Sequence, residues 1–352
     1  MFTIFELPQA PVMVAGLFCG LKKPESLEEY LHPMVNELNC LMQRGINING
    51  FQVAIKLRAI VADTPARAFI KVKNIPTGDK LHLVDLGVHK RFVIGCRDGT
   101  IRKIRWTKQQ CDEISTAIEK IKLPTEIHRK IRPIKQAHFW KASESASFLH
   151  YAGFVVLKSY LTDREYKHYL LLFGAVTLFS SSIYRGKWEY AGTLINKYVE
   201  EFGSIYGERY ITSNVHNLQH LQEEVEQFGP LHSFSSYCFE NKLQHLKKLL
   251  RCGWKQLQQA VNRLMEYEEY KQVKPSISTY PSLSKRGSIV SLYLREGFLL
   301  QNNAKNCWYM TKENTIYQFQ TAIKDGNLRI HGRKLIGLRL AFDEPYDSSI
   351  LN

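Results

Sequence analysis

The chain has 352 residues, 44% of them hydrophobic and 12% aromatic, with 48 Lys and Arg against 33 Asp and Glu for a formal charge of +15. That size and apolar content exclude intrinsic disorder and are enough for more than one buried core. The charge points to a polyanionic partner, nucleic acid first and an acidic membrane surface second. The surplus is local, since Lys56 to Lys141 holds about twenty basic residues against about eight acidic ones. Seven scattered cysteines (Cys19, Cys40, Cys96, Cys111, Cys238, Cys252 and Cys307), with no Cys-x-x-Cys pair, read as reduced thiols. They fit neither a disulfide framework nor a structural zinc site. The apolar N-terminus is broken by Pro8 and Pro11, lacks a basic leader and reads as two strands, not a signal peptide. The longest apolar run, Tyr169 to Phe179, is about half of what a bilayer requires, so no membrane span is expected.

In chain order, Thr3–Leu7 and Val12–Cys19 are strand-like. Ser26-x-x-Glu29 is a capping box that opens a helix, in which a hydroxyl and a carboxylate satisfy the first free N–H groups. Pro33 is expected to restart that helix, which carries Val35, Leu38, Leu41 and Met42 on one face and stops at Gly45. Phe51–Ala62 alternates as a strand does and ends in Asp63-Thr64-Pro65, a helix-start signal. From about residue 105 to 230 the pattern is helical, with capping boxes at Thr107-x-x-Gln110 and Thr162-x-x-Glu165. Ala191, Leu194, Ile195, Tyr198, Val199 and Phe202 form one apolar stripe that ends before Gly207. Leu218, Leu221, Val225 and Phe228 form another, closed by Gly229. Phe239, Leu243, Leu246 and Leu250 mark a helix running to Gly253, and Trp254 to Met265 its successor. Residues 271–288, rich in Ser, Pro and Lys, read as a linker. Beyond them, short β-rich runs alternate with turns at Lys312-Glu313-Asn314 and Asp325-Gly326-Asn327, a small β domain.

Phosphoryl transfer assisted by metal ions needs carboxylates that converge in space. The candidates are Asp63 at a strand end, Asp79, and Glu240 early in a helix; spacing alone favours helix capping for Asp63, a turn for Asp79 and a solvated position for Glu240. His216 and His220 have a zinc-capable separation. The intervening Asn-Leu-Gln offers no general base, which favours a packing role. Glu144 is placed to pair with Arg129, Lys130 or Arg132. The series Lys90, Arg91, Arg97, Arg102, Lys103, Arg105 and Lys108 is the candidate DNA-binding surface, where each phosphate contact adds salt-dependent affinity without reading sequence.

The segments MVAGLFCGLKKP, LHPMVNELNCLMQRGI, IVADTPARAFIK, GDKLHLVDLGVHKRF, FWKASESASFLHYAGFVVLK, ERYITSNVHNLQHLQEEVEQFGPLHSFSSYCFENKLQHLKKLLR and EPYDSSIL occur in that order. Together they resemble the animal CACTA-type DNA transposases over nearly the whole chain. That family is similar to ribonuclease-H-like transposases of the DDE kind, in which two Asp residues on the sheet and a Glu on a late helix flank a helical insertion. The resemblance implies that Asp63 is the second Asp and Glu240 the Glu. It also implies that Asp79 and His82 form an intervening Asp-x-x-His motif, with His82 orienting the scissile phosphate region. Two departures bear on activity. The family's first Asp lies upstream of the segment matching FTIFELP, which here follows Met1 directly, so the expectation is that this Asp is missing. The family's Cys/His stretch is replaced by the short link Val72 to Gly78.

The expected fold is α/β, an incomplete ribonuclease-H-like mixed sheet interrupted by a large helical insertion, with a small C-terminal β domain. The expected parts are residues 1–104 (core, first strand missing), 105–230 (insertion), 231–270 (returning core helices), 271–288 (linker) and 289–352 (β domain). The expected function is that of a transposase-derived, nuclear, DNA-interacting protein that does not catalyse. Its expected cofactor is Mg2+, held weakly by Asp63 and Glu240. Double-stranded DNA is the expected partner, with self-association left open and no membrane. The alternatives are an active metal-dependent transposase or nuclease fragment, and a protein-interaction scaffold for which DNA is irrelevant.

Overall fold

The computed structural model describes residues 1–4, 6, 10, 12–14, 17, 25–57, 80–101, 105–273, 279–337 and 339–351. The architecture is mixed α/β, with a small N-terminal sheet, a large helical region and a separate C-terminal β structure. Chain contacts divide it into two compact units, one of Met1–Leu83, Ser180–Ile183 and His220–Pro275, the other of Val84–Phe179, Tyr184–Gln219 and Ser276–Asn352.

In the first unit, helix α1 (Leu27–Arg44) starts at Ser26, whose hydroxyl accepts the Glu29 N–H at 3.2 Å, and ends at Gly45 with φ +67°. The helix continues through Pro33, so the expected restart does not occur. Pro33 lacks the N–H that would reach the Glu29 carbonyl, and exposed Glu29 can give that carbonyl to water instead. Strands β1 (Ile46–Ile48) and β2 (Phe51–Val53) pair antiparallel across Asn49-Gly50, both at positive φ. The strand expected over Phe51–Ala62 is therefore described only to Val53, and residues 58–62 lie outside the described set. Of the two N-terminal strands, the described residues contain one antiparallel bridge, Phe2 to Met13.

The second unit is built mostly of helices. Helix α2 (Lys90–Asp98) follows helical turns over 80–89, so the helical region begins well before residue 105. Helix α3 (Lys108–Lys120) opens on the Thr107–Gln110 capping box, with both reciprocal bonds formed. Helices α4 (Ala142–Ser147) and α5 (Gly153–Val156) lead to the central pair, α6 (Asp163–Phe179) and α7 (Trp188–Tyr206). The apolar run Tyr169 to Phe179 belongs to α6 and is buried almost throughout. On α7 the stripe from Ala191 to Phe202 is buried as its spacing requires. His168 stacks on Tyr198 with ring centres 4.2 Å apart, and the Trp188 indole donates to the Leu178 carbonyl at 3.0 Å.

Helix α8 (Ser213–His216) ends at His216 and a 3-10 turn covers Asn217–His220, so the two histidines do not have α-helical spacing. Back in the first unit, α9 (Leu221–Phe228) buries Leu221, Val225 and Phe228 and is closed by Gly229. Helices α10 (Tyr237–Leu249) and α11 (Gln256–Val273) pack on one another, α10 stopping short of the expected Gly253.

The expected linker is shorter than its composition indicates. Ser282–Arg286 is a strand, β3, joined to β4 (Ile289–Arg295) by the two-residue turn Gly287-Ser288, with Gly287 at φ +61°. Its polar residues lie on an outer strand, where Ser, Lys and Arg are tolerated. Strands β3, β4 and β5 (Phe298–Gln301) form one antiparallel sheet. Strands β6 (Trp308–Met310), β7 (Ile316–Asp325) and β8 (Asn327–Lys334) form a second. Val290, Leu292, Leu300, Phe319 and Ala322 make a common core. Asn306 and Thr125 exchange two hydrogen bonds, at 2.7 and 3.0 Å, that tie the β structure to the helices of its unit. Past β8 the chain docks on α6. The Tyr346 hydroxyl donates to the Leu170 carbonyl at 2.9 Å and fills a slot beside Gly174, where a Cβ would stand 2.2 Å from that oxygen.

Candidate functional site

Glu240 lies in the first turn of α10, where the free N–H groups of a helix start favour a negative charge. The Ser236 hydroxyl donates to Glu240 Oε1 at 3.0 Å. The same oxygen is 3.3 Å from His82 Nδ1, and the His82 ring meets the edge of Tyr237 at 5.4 Å. Nearby in the same chain segments, Lys80 pairs with Glu224 at 3.1 Å. The His82 and Glu240 side chains retain 31% and 53% of their exposure, so the pair faces solvent. Such a pair can exchange a proton. It is not the base of a serine triad, because the Ser236 proton is directed at the carboxylate and not at the imidazole.

Of the four residues expected to carry chemistry, His82 and Glu240 are therefore neighbours, while Asp63 and Asp79 lie outside the described residues. The Mg2+ expectation is corrected. Among the described residues no three His, Cys, Asp or Glu side chains are grouped to hold a metal ion. Among the described residues the groups beside Glu240 are an imidazole and a hydroxyl, whereas Mg2+ favours several converging oxygen ligands.

The expected DNA-binding series separates into two classes. Lys90 Nζ donates to the carbonyls of His138 and Trp140 at 2.9 and 2.7 Å. Partial burial, then the neighbouring Arg132, hold its pKa below the ordinary lysine value. Arg97 donates to both Asp98 oxygens, at 2.6 and 3.0 Å, and to the Lys135 carbonyl at 2.8 Å. Those bonds hold the Asp98 carboxyl below its usual range. Both cations fasten the backbone of 135–140 to α2 and are not free to meet phosphate. Arg91, Arg105 and Lys108 are exposed, and Arg102 and Lys103 lie outside the described residues.

Two further polar groups are wholly buried. Glu144 is 0% exposed and accepts from Arg132 Nε at 2.7 Å, from Arg132 Nη2 at 2.6 Å and from the Lys141 N–H at 2.8 Å. Arg129 stands at 4.0 Å. Burial raises the Glu144 pKa, but the bonds from Arg132 and Lys141 outweigh it and the net shift is downward. The expected structural ion pair is thus formed with Arg132. His89, also 0% exposed, faces Ser145 Oγ at 2.7 Å, and that hydroxyl donates to the Asp85 carbonyl at 2.6 Å. Burial, and to a lesser degree His150, lower the His89 pKa to about 3, so the ring is neutral. Since Ser145 has committed its proton to a carbonyl, the ring donates to it, and a sealed Ser–His contact of this polarity joins segments without activating a nucleophile. No sequence signal marks this group, because positions 85, 89 and 145 share no motif.

Among the described residues no helix is long and apolar enough to cross a membrane. No family model, no curated protein and no solved structure matches the chain.

Proposed function

We propose that this chain is a transposase-derived protein of the CACTA type that binds duplex DNA in the nucleus and does not cut it. In this reading its N-terminal strands and the helices of 231–270 derive from a ribonuclease-H-like core. The observation that carries it is the juxtaposition of His82 and Glu240 at 3.3 Å. The two positions correspond to the family by separate segments, GDKLHLVDLGVHKRF and SYCFENKL, with the whole helical region between them in sequence. A chance likeness of scattered segments gives no reason for these two side chains to meet.

The charge of +15 and the exposed Arg91, Arg105 and Lys108 supply a phosphate-binding surface. What supports the non-cutting part of the reading is the chemistry of the pair among the described residues. A solvent-facing imidazole and a carboxylate can move a proton, but phosphoryl transfer also requires groups that hold and stabilise the transferring phosphate.

Titration of the full chain against a random-sequence duplex at two salt concentrations tests the reading. Affinity should fall with salt by a slope of about 0.9 per phosphate contact. Binding that is absent at low salt, or indifferent to salt, returns the chain to the scaffold reading. Cleavage of the duplex by the natural chain, lost in Glu240→Gln, reinstates catalysis.

A further inference from the structure

Strand β8 alternates strictly. Leu328 and Ile330 pack toward the β core, whereas Arg329, His331 and Arg333 are exposed on the opposite face. The register continues that outer face across the sheet. Arg333 pairs with Gln318, which pairs with Trp308, while His331 faces Thr321 and Arg329 faces Ile323. The apolar members of the face are strongly exposed, Trp308 at 50%, Met310 at 59% and Ile323 at 52%. Tyr309, one residue along from Trp308, points inward and stacks on Tyr317 with ring centres 5.7 Å apart, which leaves the indole outward by alternation. The rows thus hold an indole and three basic side chains on one sheet face, and the carboxylate of Asp325 stands beyond them at the hairpin end, opposite Asn327.

We infer that this outer face of the β6–β7–β8 sheet binds single-stranded nucleic acid. An exposed indole on a sheet face offers a stacking platform, and stacking requires an unpaired base. Arginines on a neighbouring strand of the same face meet the backbone phosphates of a strand laid across it. A duplex keeps its bases stacked internally and leaves the indole without a partner. An acidic peptide satisfies the arginines but makes no use of an exposed aromatic plane. This surface is distinct from Arg91, Arg105 and Lys108, and it stands whether or not the chain binds duplex DNA.

The test uses the full chain and a fluorescently labelled oligothymidylate of about twelve nucleotides, followed by anisotropy. Trp308→Ala should weaken binding about five- to a hundred-fold, and Trp308→Phe should restore most of it, as expected for loss of one stacked base. Replacing Arg329 and Arg333 with Gln should lower the salt slope by about 1.4, two contacts at the single-strand value. Duplex affinity should be unchanged in Trp308→Ala. Because Trp308 is half exposed, its replacement leaves the β core in place, which thermal melting checks. Equal oligothymidylate affinity in Trp308→Ala and the natural chain overturns the inference, as does full displacement of the oligonucleotide by polyglutamate. A chain that fails to bind duplex but binds oligothymidylate through Trp308 breaks the earlier reading and keeps this one.

Discussion

In the helical unit, Glu144 and His89 are closed off from water, and each of their polar atoms is met by a guanidinium, a backbone N–H or a hydroxyl. In the other unit, Glu240 and His82 pair with one another at 3.3 Å and stand half in solvent. The side-chain types are the same and the placements are opposite. A buried carboxylate has given up hydration that only its partners replace, so its bonds are held by the fold and hold the fold in turn. An exposed pair contributes little to stability and remains available to an incoming ligand. The cations repeat the lesson, since Lys90 is committed to two carbonyls while its neighbour Arg91 is exposed.

The largest test of that contrast is a pair of truncations read by chemical denaturation. Glu144→Ala strands the Lys141 N–H and leaves the Arg132 guanidinium without its main acceptor, and it should cost about 3 kcal/mol. Glu240→Ala should cost under about 1 kcal/mol. Similar losses from the two would erase the distinction.

Acid provides a second, smaller test. His89 is held at about 3, and His150 and His168 at about 4, against an ordinary value of 6.5, in each case chiefly by burial. Such a ring takes its proton first in the unfolded chain, so its contribution is intact above about 6.5 and declines as the pH drops toward the folded value. The slope is about 1.4 kcal/mol per pH unit for each ring. Stability measured at pH 6.5 and 5 should therefore fall about 2 kcal/mol less in His89→Gln than in the natural chain. An acid limb unchanged by that substitution would show that His89 protonates in place.

The smallest effect concerns DNA. Arg91→Ala should lower the duplex salt slope by about 0.9, whereas Lys90→Met should leave it unchanged while lowering the melting temperature. A reversed pattern would mean that Lys90 leaves its carbonyls to meet phosphate.

Local chemistry was legible in the sequence where its cause was local. The Thr107 and Thr162 capping boxes, the α7 stripe and the pairing of Glu144 with Arg132 each depend on residues within a dozen positions. The strand Ser282–Arg286 was misread as linker because a polar outer strand and a loop share a composition. Only the turn residues Gly287-Ser288 distinguished them. The His89–Ser145 contact was illegible, because it joins segments with no shared pattern. The outward row of β8 was legible in principle, since Asn-Leu-Arg-Ile-His-Gly-Arg-Lys alternates with period two, but a strand's alternation does not say which other strands extend the face. The expected metal set rested on carboxylate chemistry and on the resemblance, and among the described residues the neighbour found beside Glu240 is an imidazole.

The slot beside Gly174 also orders events in time. Helix α6 is synthesised long before Tyr346, the residue that fills its slot and bonds the Leu170 carbonyl. At ribosomal speeds the interval of some 170 residues lasts roughly 10–35 s, ample for helices to form and pair. Through that interval the nascent helical unit carries an open notch beside Gly174, and the Leu170 carbonyl keeps its bond within the helix without the second one that Tyr346 brings.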